Sequence, residues 1–476
     1  MAKDPQLPTE IQHNALFQLL SNSLVLSHTT PYLSSYDVLN LGATSRGFRF
    51  LVYHTPQVFR RLDATNIKAA QLAVAPRASA ETGWPNVQVD GDENVTAEDF
   101  LSAPLRNVFS KLRRLDILRD VQVLTLDGLS VTAGLIHDIL IDPSYSVRIL
   151  SLREVKNMNE HELCQALQYA CRRSRPKGTP RLKGLYIFGP KDKCPSEVTE
   201  ESRCSTPTNP AAVAAAWNMR SHTALAAALA EESETWYTRR GQQFTRKLEG
   251  DWASTLLVCE GIIAFDAVLC GGPRHYSSRA YGTVDLEALN AAGSPMGVPQ
   301  LNIATHAVDG CAGCGSAPEG WTIWGENNSC SDTGRFPLLA PPPFHSSNLS
   351  AAMCPDGHTV RTRLSSVNQK DQEKARFIPR CFDCLRDRYC SGCHRWWCEA
   401  CYIGAYGPGG SQSGASNLAH VSKSCWECGM NCKECIEITQ RMCKCCGGGY
   451  CLIHNEGCDL EACDCKPPSS STPNLP

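Results

Sequence analysis

Cys381-Phe-Asp-Cys384-Leu-Arg-Asp-Arg-Tyr-Cys390-Ser-Gly-Cys393-His-Arg-Trp-Trp-Cys398-Glu-Ala-Cys401 sets three Cys-x-x-Cys pairs within 21 residues. Cys425/Cys428 and Cys432/Cys435 repeat the spacing, and Cys443 and Cys446 then precede Cys451 and His454. In all, 17 of the chain's 27 cysteines fall between Cys381 and Cys465, so one chemistry should account for the block. Two thiolates three positions apart on a tight turn grip a tetrahedral zinc while nearby backbone N–H groups donate to the sulfurs, and a second pair closes the site. The expected ligands are therefore Cys381, Cys384, Cys390, Cys393, Cys398, Cys401, Cys425, Cys428, Cys432, Cys435, Cys443, Cys446, Cys451 and His454. Cys458, Cys463 and Cys465 are candidates for a further site. This supply suits about three to four zinc ions, with thiols to spare.

Other uses of cysteine fit less well. Disulfides need an oxidising compartment, and Met1-Ala-Lys-Asp-Pro5 opens without the apolar core of a signal peptide, so a reducing location, cytoplasmic or nuclear, is expected. Unliganded buried cysteines would scatter rather than pair. An iron–sulfur cluster would use only four of these thiolates.

Charge narrows the partners. Lys and Arg number 46 against 48 Asp and Glu, and the cysteine-rich block carries 7 basic against 10 acidic residues. Fully thiolate zinc sites add further negative charge, so neither nucleic acid nor an anionic membrane surface is expected as a partner. The longest apolar run, 256–270, is broken by Glu260 and Asp266 and is too short to span a bilayer. With 476 residues, the chain should hold about three domains.

At the other end, Leu7-Pro-Thr-Glu-Ile11 opens a helix with Ala15, Leu16, Leu19 and Leu20 at helical spacing. Tyr36-Asp-Val-Leu-Asn-Leu41, then Ser45-Arg-Gly-Phe-Arg-Phe-Leu-Val52, then Pro56-Gln-Val-Phe-Arg-Arg-Leu62 complete a small helical bundle. These residues resemble an F-box over about the first 60 positions, a resemblance implying that the helices dock on the adaptor subunit of a cullin–RING ubiquitin ligase. Carried over by position, Leu7, Pro8, Ile11, Val38, Leu39 and Leu41 would lie at or beside the adaptor surface, while Phe48, Leu51 and Phe59 fill the motif's own core. The chain departs from the pattern in an insertion at 23–34 and in Phe48, which stands where tryptophan is usual.

Between these ends a repeat emerges. Val123-Leu-Thr-Leu126 is followed by a helical pattern through Leu135, Ile139 and Leu140; Ile149-Leu-Ser-Leu152 recurs 26 positions later, followed by Leu163, Ala166 and Leu167. Leu185-Tyr-Ile187 begins a third unit after the basic insert 172–177. Strands of this kind, each returning by a helix, resemble leucine-rich repeats, which implies a concave sheet face on which a client protein sits. The segment 194–210 reads as a linker, and 211–232 as an alanine-rich helix. Periodicity leaves 252–272 open between helix and strand, with Glu260 and Asp266 expected as exposed carboxylates. Cys311 and Cys314 form an isolated pair, for which Cys354 and His358 are possible partners in a zinc site. The proline run 341–343 reads as a loop.

Within the block, the order of pairs permits an interleaved cross-brace, the first pair (381/384) joining the third (398/401) and the second (390/393) joining the fourth (425/428). The spacing resembles RING-type and treble-clef zinc folds; His394 is expected as an exposed neighbour and Trp396 and Trp397 as packing over zinc. The expected fold is multidomain α+β: an F-box-like bundle at 1–64, a leucine-rich-repeat-like region at 105–190, a middle α/β region at 211–360 with a possible zinc site, a zinc-stabilised domain at 377–466 and a tail at 467–476. The resemblances imply a substrate-recruiting ligase subunit without catalytic residues of its own. The alternative is a RING or RING-between-RING ligase acting through the C-terminal block, in which Cys445 is a conceivable nucleophile although no base is identifiable beside it.

Overall fold

A computed structural model of the chain describes residues 15–67, 70, 97–191, 236, 240–282, 301–315, 317, 322–323, 336–344, 346–353, 376–386, 388–398, 401, 421–423, 429–442 and 449–451. The chain divides into two compact units. The first comprises Met1–Thr238, Phe244–Val268 and Trp324–Ala375; the second comprises Arg239–Gln243, Leu269–Ile323 and Arg376–Pro476. The stretch 211–360, expected as one middle region, is thus shared between both.

The first unit begins with four short helices: α1 (Ala15–Ser21), α2 (Ser23–Thr29), α3 (Ser35–Thr44) and α4 (Arg46–His54). Local chemistry starts each of the last three. Asn22 caps α2, Ser45 caps α4, and Ser34 and Asp37 form a reciprocal capping box on α3. Residues 23–34, expected as an insertion, are largely helical. Phe48, Leu51, Val52 and Phe59 are buried, with Phe17 meeting Phe48 edge-on at 5.4 Å. Val38 is buried with them, and so belongs to the bundle's interior rather than to its surface; Leu39 and Leu41 are half-buried. Leu7, Pro8 and Ile11 lie outside the described residues.

A five-stranded parallel sheet follows, built from β1 (Arg61–Asp63), β2 (Val123–Thr125), β3 (Ile149–Ser151), β4 (Gly184–Tyr186) and β5 (Ala264–Phe265) in chain order. Helix α5 (Ala97–Arg114) precedes β2, while α6 (Ala133–Ile141), α7 (Glu160–Ala170) and α8 (Trp252–Cys259) precede β3, β4 and β5. Right-handed crossovers between neighbouring parallel strands put their helices on one face, against which Leu124, Leu150 and Leu185 are fully buried. Segment 252–272, ambiguous by periodicity, resolves into α8, a turn at Gly261 with φ +74°, and β5.

Polar groups beyond the strands tie the turns together. The Asp127–Arg153 ion pair is 2.8 Å long and almost fully buried, and Ser151 Oγ donates to the same carboxylate at 2.6 Å. Asp266, expected exposed, is buried instead: its carboxylate accepts backbone N–H groups of Ile187, Phe188 and Gly189. Burial pushes its pKa up while those donors oppose the rise. A buried carboxylate so fully donated to is a structural clasp between β4 and β5.

The opposite sheet face is covered by the chain itself. Leu338 N–H donates to Phe265 O at 2.8 Å, Tyr186 OH donates to Leu339 O at 2.8 Å, and Arg61 Nη1 donates to Pro342 O at 2.9 Å. The proline run 341–343, a loop as expected, belongs to a strap reaching from β5 to β1 and ending in α9 (Leu349–Met353).

In the second unit, Gly241–Gln242, His306–Val308, Arg376–Arg380 and Thr322–Ile323 form a four-stranded antiparallel sheet in that spatial order. Two hairpins follow, Val421–Lys423 with Met430–Cys432 and Gln440–Met442 with Gly449–Cys451. Its core holds Val308, Ile378, Leu385, Tyr389, Trp396 and Trp397 together with cysteines. A core this small needs cross-links other than apolar burial.

Candidate metal centres

Among the described residues of the second unit, twelve side chains gather into three sets of four: Cys270, His275, Cys381 and Cys384; Cys311, Cys314, Cys398 and Cys401; and Cys390, Cys393, Cys432 and Cys435. Within each set the ligand atoms all lie within 4.8 Å of one another. The sulfur separations are 3.7 Å for Cys270–Cys384, 3.9 Å for Cys314–Cys398 and 3.8 Å for Cys393–Cys432. A tetrahedron with Zn–S bonds of about 2.3 Å has edges of about 3.8 Å, whereas a disulfide would bring the sulfurs to about 2.0 Å. His275 Nε2 lies 3.2 Å from both Cys381 Sγ and Cys384 Sγ, so this nitrogen is the one that faces the centre.

Backbone donors repeat the same pattern three times. In the first set, Gly272 N–H and Cys381 N–H donate to Cys270 Sγ at 3.4 and 3.1 Å. Gly313 and Cys398 do so to Cys311 Sγ at 3.3 and 3.1 Å, and Cys393 and Cys432 to Cys390 Sγ at 3.5 and 3.2 Å. Each leading sulfur therefore takes one N–H from its own turn and one from the first residue of the partner pair, as a thiolate ligand requires. Glycine is needed at two of the turns, since a Cβ at Gly272 would sit 2.5 Å from Cys384 Sγ and one at Gly313 would sit 2.7 Å from Cys401 Cβ. Cys381 and Cys432 cap the helices Phe382–Leu385 and Lys433–Thr439, which carry the following ligands Cys384 and Cys435.

Electrostatics shows what the sets demand. Burial pushes Cys390 up, but N–H groups of Cys393, Cys432 and Gly392 outweigh it and hold its thiol at about 7. Its neighbours respond in the opposite sense: burial and hydrogen bonds to Cys390 raise Cys393 to about 11 and push Cys435 up further. Cys270 is likewise held low while Cys381 and Cys384 are driven up. Without a cation, one thiolate suppresses ionisation of the rest. A bound dication removes that conflict, and four-ligand Cys/His sets at these distances are compatible with zinc. Around Trp396, the buried Arg380 and Arg388 guanidinium groups lie 5.7 and 5.6 Å from the ring and add positive charge close to the thiolates.

The pairing differs from the expected cross-brace. Cys381/Cys384 meet Cys270 and His275 rather than Cys398/Cys401, and Cys390/Cys393 meet Cys432/Cys435 rather than Cys425/Cys428. Cys311/Cys314 meet Cys398/Cys401, while their expected partners Cys354 and His358 lie outside the described residues, as do Cys425, Cys428, Cys443, Cys445, Cys446, His454, Cys458, Cys463 and Cys465. Cys451 is buried at the end of its hairpin, in none of the three sets. His394 is half-buried rather than exposed, its Nδ1 lying 2.8 Å from Tyr389 OH, and stands apart from the metal sets. The pairs remain interleaved along the chain, since 311/314 falls inside the first set's span and 398/401 inside the third's.

Cys270 and His275 were missed by spacing. Their segment, Cys270-Gly-Gly-Pro-Arg-His275, carries one usable signal, the glycines directly after the cysteine that let backbone approach sulfur. Among the described residues no helix is long and apolar enough to cross a membrane. Comparison with protein-family models, with curated proteins and with solved structures gave no match.

Proposed function

We propose that this chain is a substrate-recruiting subunit of a cullin–RING ubiquitin ligase, with an F-box-like bundle that docks on the adaptor, a leucine-rich-repeat-like sheet that receives a client, and a zinc-binding module that presents a rigid protein-interaction surface. The observation that carries this reading is the order of parts in the first unit. A capped helical bundle with Phe48, Leu51 and Phe59 in its core leads directly into parallel strands laid side by side in chain order. That arrangement is what an adaptor-binding head followed by a repeat receptor requires.

Zinc is proposed for all three sets, with Cys270, His275, Cys381 and Cys384 holding one ion and the two all-cysteine sets holding the others. Each set supplies four protein ligands, which closes the coordination sphere and suits a structural ion rather than one that activates water. The RING-between-RING alternative needs a further, unliganded nucleophilic thiol beyond these twelve ligands.

The test is co-purification of the full-length, zinc-loaded protein with the purified adaptor, beside a variant carrying Leu7→Ala, Pro8→Ala and Ile11→Ala. Binding by the parent and at least tenfold weaker binding by the variant are expected. A folded parent that fails to bind would remove the receptor reading.

A further inference from the structure

The strap over the sheet is built like a bound peptide. Leu339 N–H donates to Ala352 O at 2.8 Å, so one hydrogen bond closes the two ends of a segment that runs from the prolines into the start of α9, as in a compact Ω-loop. Buried Leu338 and Leu339 anchor it on one side and buried Ala352 and Met353 on the other, whereas most of the loop between them is only half-buried. Its three consecutive prolines have no N–H to offer. Two of its backbone carbonyls are met by side chains of the sheet: Tyr186 OH donates to Leu339 O and Arg61 Nη1 donates to Pro342 O.

Past the prolines, Phe344 supplies a side-chain anchor. Its ring stacks on Tyr32 with centroids 5.8 Å apart, and the Arg61 guanidinium lies 4.0 Å from the ring centroid. Farther along, Ser347 Oγ meets Gln122 Oε1, and Leu349 approaches Gly184, where a Cβ would come 3.5 Å from its Cδ1. Side-chain donors reading backbone carbonyls, an aromatic-and-cation slot for one ring, and a glycine that admits a leucine are the parts of a peptide-recognition groove. A strand face filled only for packing would not need side-chain donors aimed at backbone carbonyls of the segment that covers it.

We propose that the face of the parallel sheet is a binding groove for an extended, proline-containing segment with an aromatic residue, and that loop 340–351 is its built-in occupant, which a partner segment of the same chemistry displaces. This deepens the receptor reading by giving the client a chemistry, and it fails separately, because adaptor binding is read by co-purification and groove binding by peptide titration.

The probe is a fluorescent synthetic peptide spanning residues 338–350, titrated into the full-length, zinc-loaded protein and followed by anisotropy. A variant carrying Pro341→Gly, Pro342→Gly, Pro343→Gly and Phe344→Ala loosens the loop and should bind the peptide at least tenfold more tightly than the parent. Adding Arg61→Ala to that variant should abolish the gain. Equal affinity of parent and loop variant would overturn the proposal, as would a loop variant that no longer folds, because the loop would then be fixed core. Hydrogen exchange on the unaltered protein decides the same point without mutation. Loop amides are expected to exchange at least a hundredfold faster than those of Leu124, Leu150 and Leu185, and equal protection would overturn the proposal.

Discussion

His306 is 4 % exposed, packed against Tyr389 and Phe382, with Nδ1 2.8 Å from Thr305 Oγ1. Burial and the nearby His394 charge hold its pKa down at about 4, against the opposing pull of Cys270. Unfolding returns the ring to about 6.5, so between these values the unfolded chain binds one proton more. The stabilisation is full above the unfolded value and is lost as pH falls towards the folded one, by about 2 kcal/mol between pH 7 and 5. Urea titrations at those two pH values should show that slope in the parent and its loss in His306→Phe. A variant with the parent's slope would exclude this ring as the source. For the ligands, Cys270→Ala or His275→Ala should remove one equivalent of zinc measured by inductively coupled plasma mass spectrometry, whereas Cys164→Ala, a buried thiol outside the three sets, should remove none. The Cys-x-x-Cys pairs were legible because both ligands of a pair sit on one turn. Their partners were not, because the first set joins residues 114 positions apart, and only the tertiary fold determines which turns meet.

Among elements, the Leu-x-Leu strands β2, β3 and β4 were legible since each is a short apolar run followed by a helical period. The flanking strands escaped because Arg61–Asp63 and Ala264–Phe265 are too short to show alternation, and they become strands by pairing with their neighbours. The buried role of Asp266 was illegible for a related reason: its donors lie 77 to 79 positions away. The start of α7 shows how a cap and a buried charge cooperate. Asn159 accepts N–H groups of His161 and Glu162, and the next residue, Glu160, accepts Trp252 Nε1 at 2.7 Å and Glu249 N–H at 2.9 Å and pairs with Arg246. Asn159→Ala should cost about 1 kcal/mol as a lost cap. Glu160→Ala should cost about 3 kcal/mol, because it strands several donors at once. Chemical denaturation compares the two, and equal losses would mean that Glu160 does not clasp α7 to α8.

At the scale of the whole molecule, both units are assembled from separated stretches of chain, so sequence blocks and compact units do not coincide. A fragment covering 377–466 retains only one of the three described sets intact, because Cys270, His275, Cys311 and Cys314 lie upstream of it. Such a fragment should bind two equivalents of zinc fewer than the full chain, and metal analysis of the two side by side checks this; equal loading would mean that the upstream ligands are dispensable. Chelation of the full chain should abolish the near-ultraviolet signal of buried Trp396 and Trp397 while the parallel sheet persists, since that sheet has an apolar core of its own. The spacing within the sets also imposes a timetable on synthesis. The linked thiols Cys393 and Cys432 are 39 positions apart, Cys314 and Cys398 are 84 apart, and Cys270 and Cys384 are 114 apart. On the ribosome Cys270 therefore emerges first of the twelve and waits longest, its set incomplete until Cys381 and Cys384 appear.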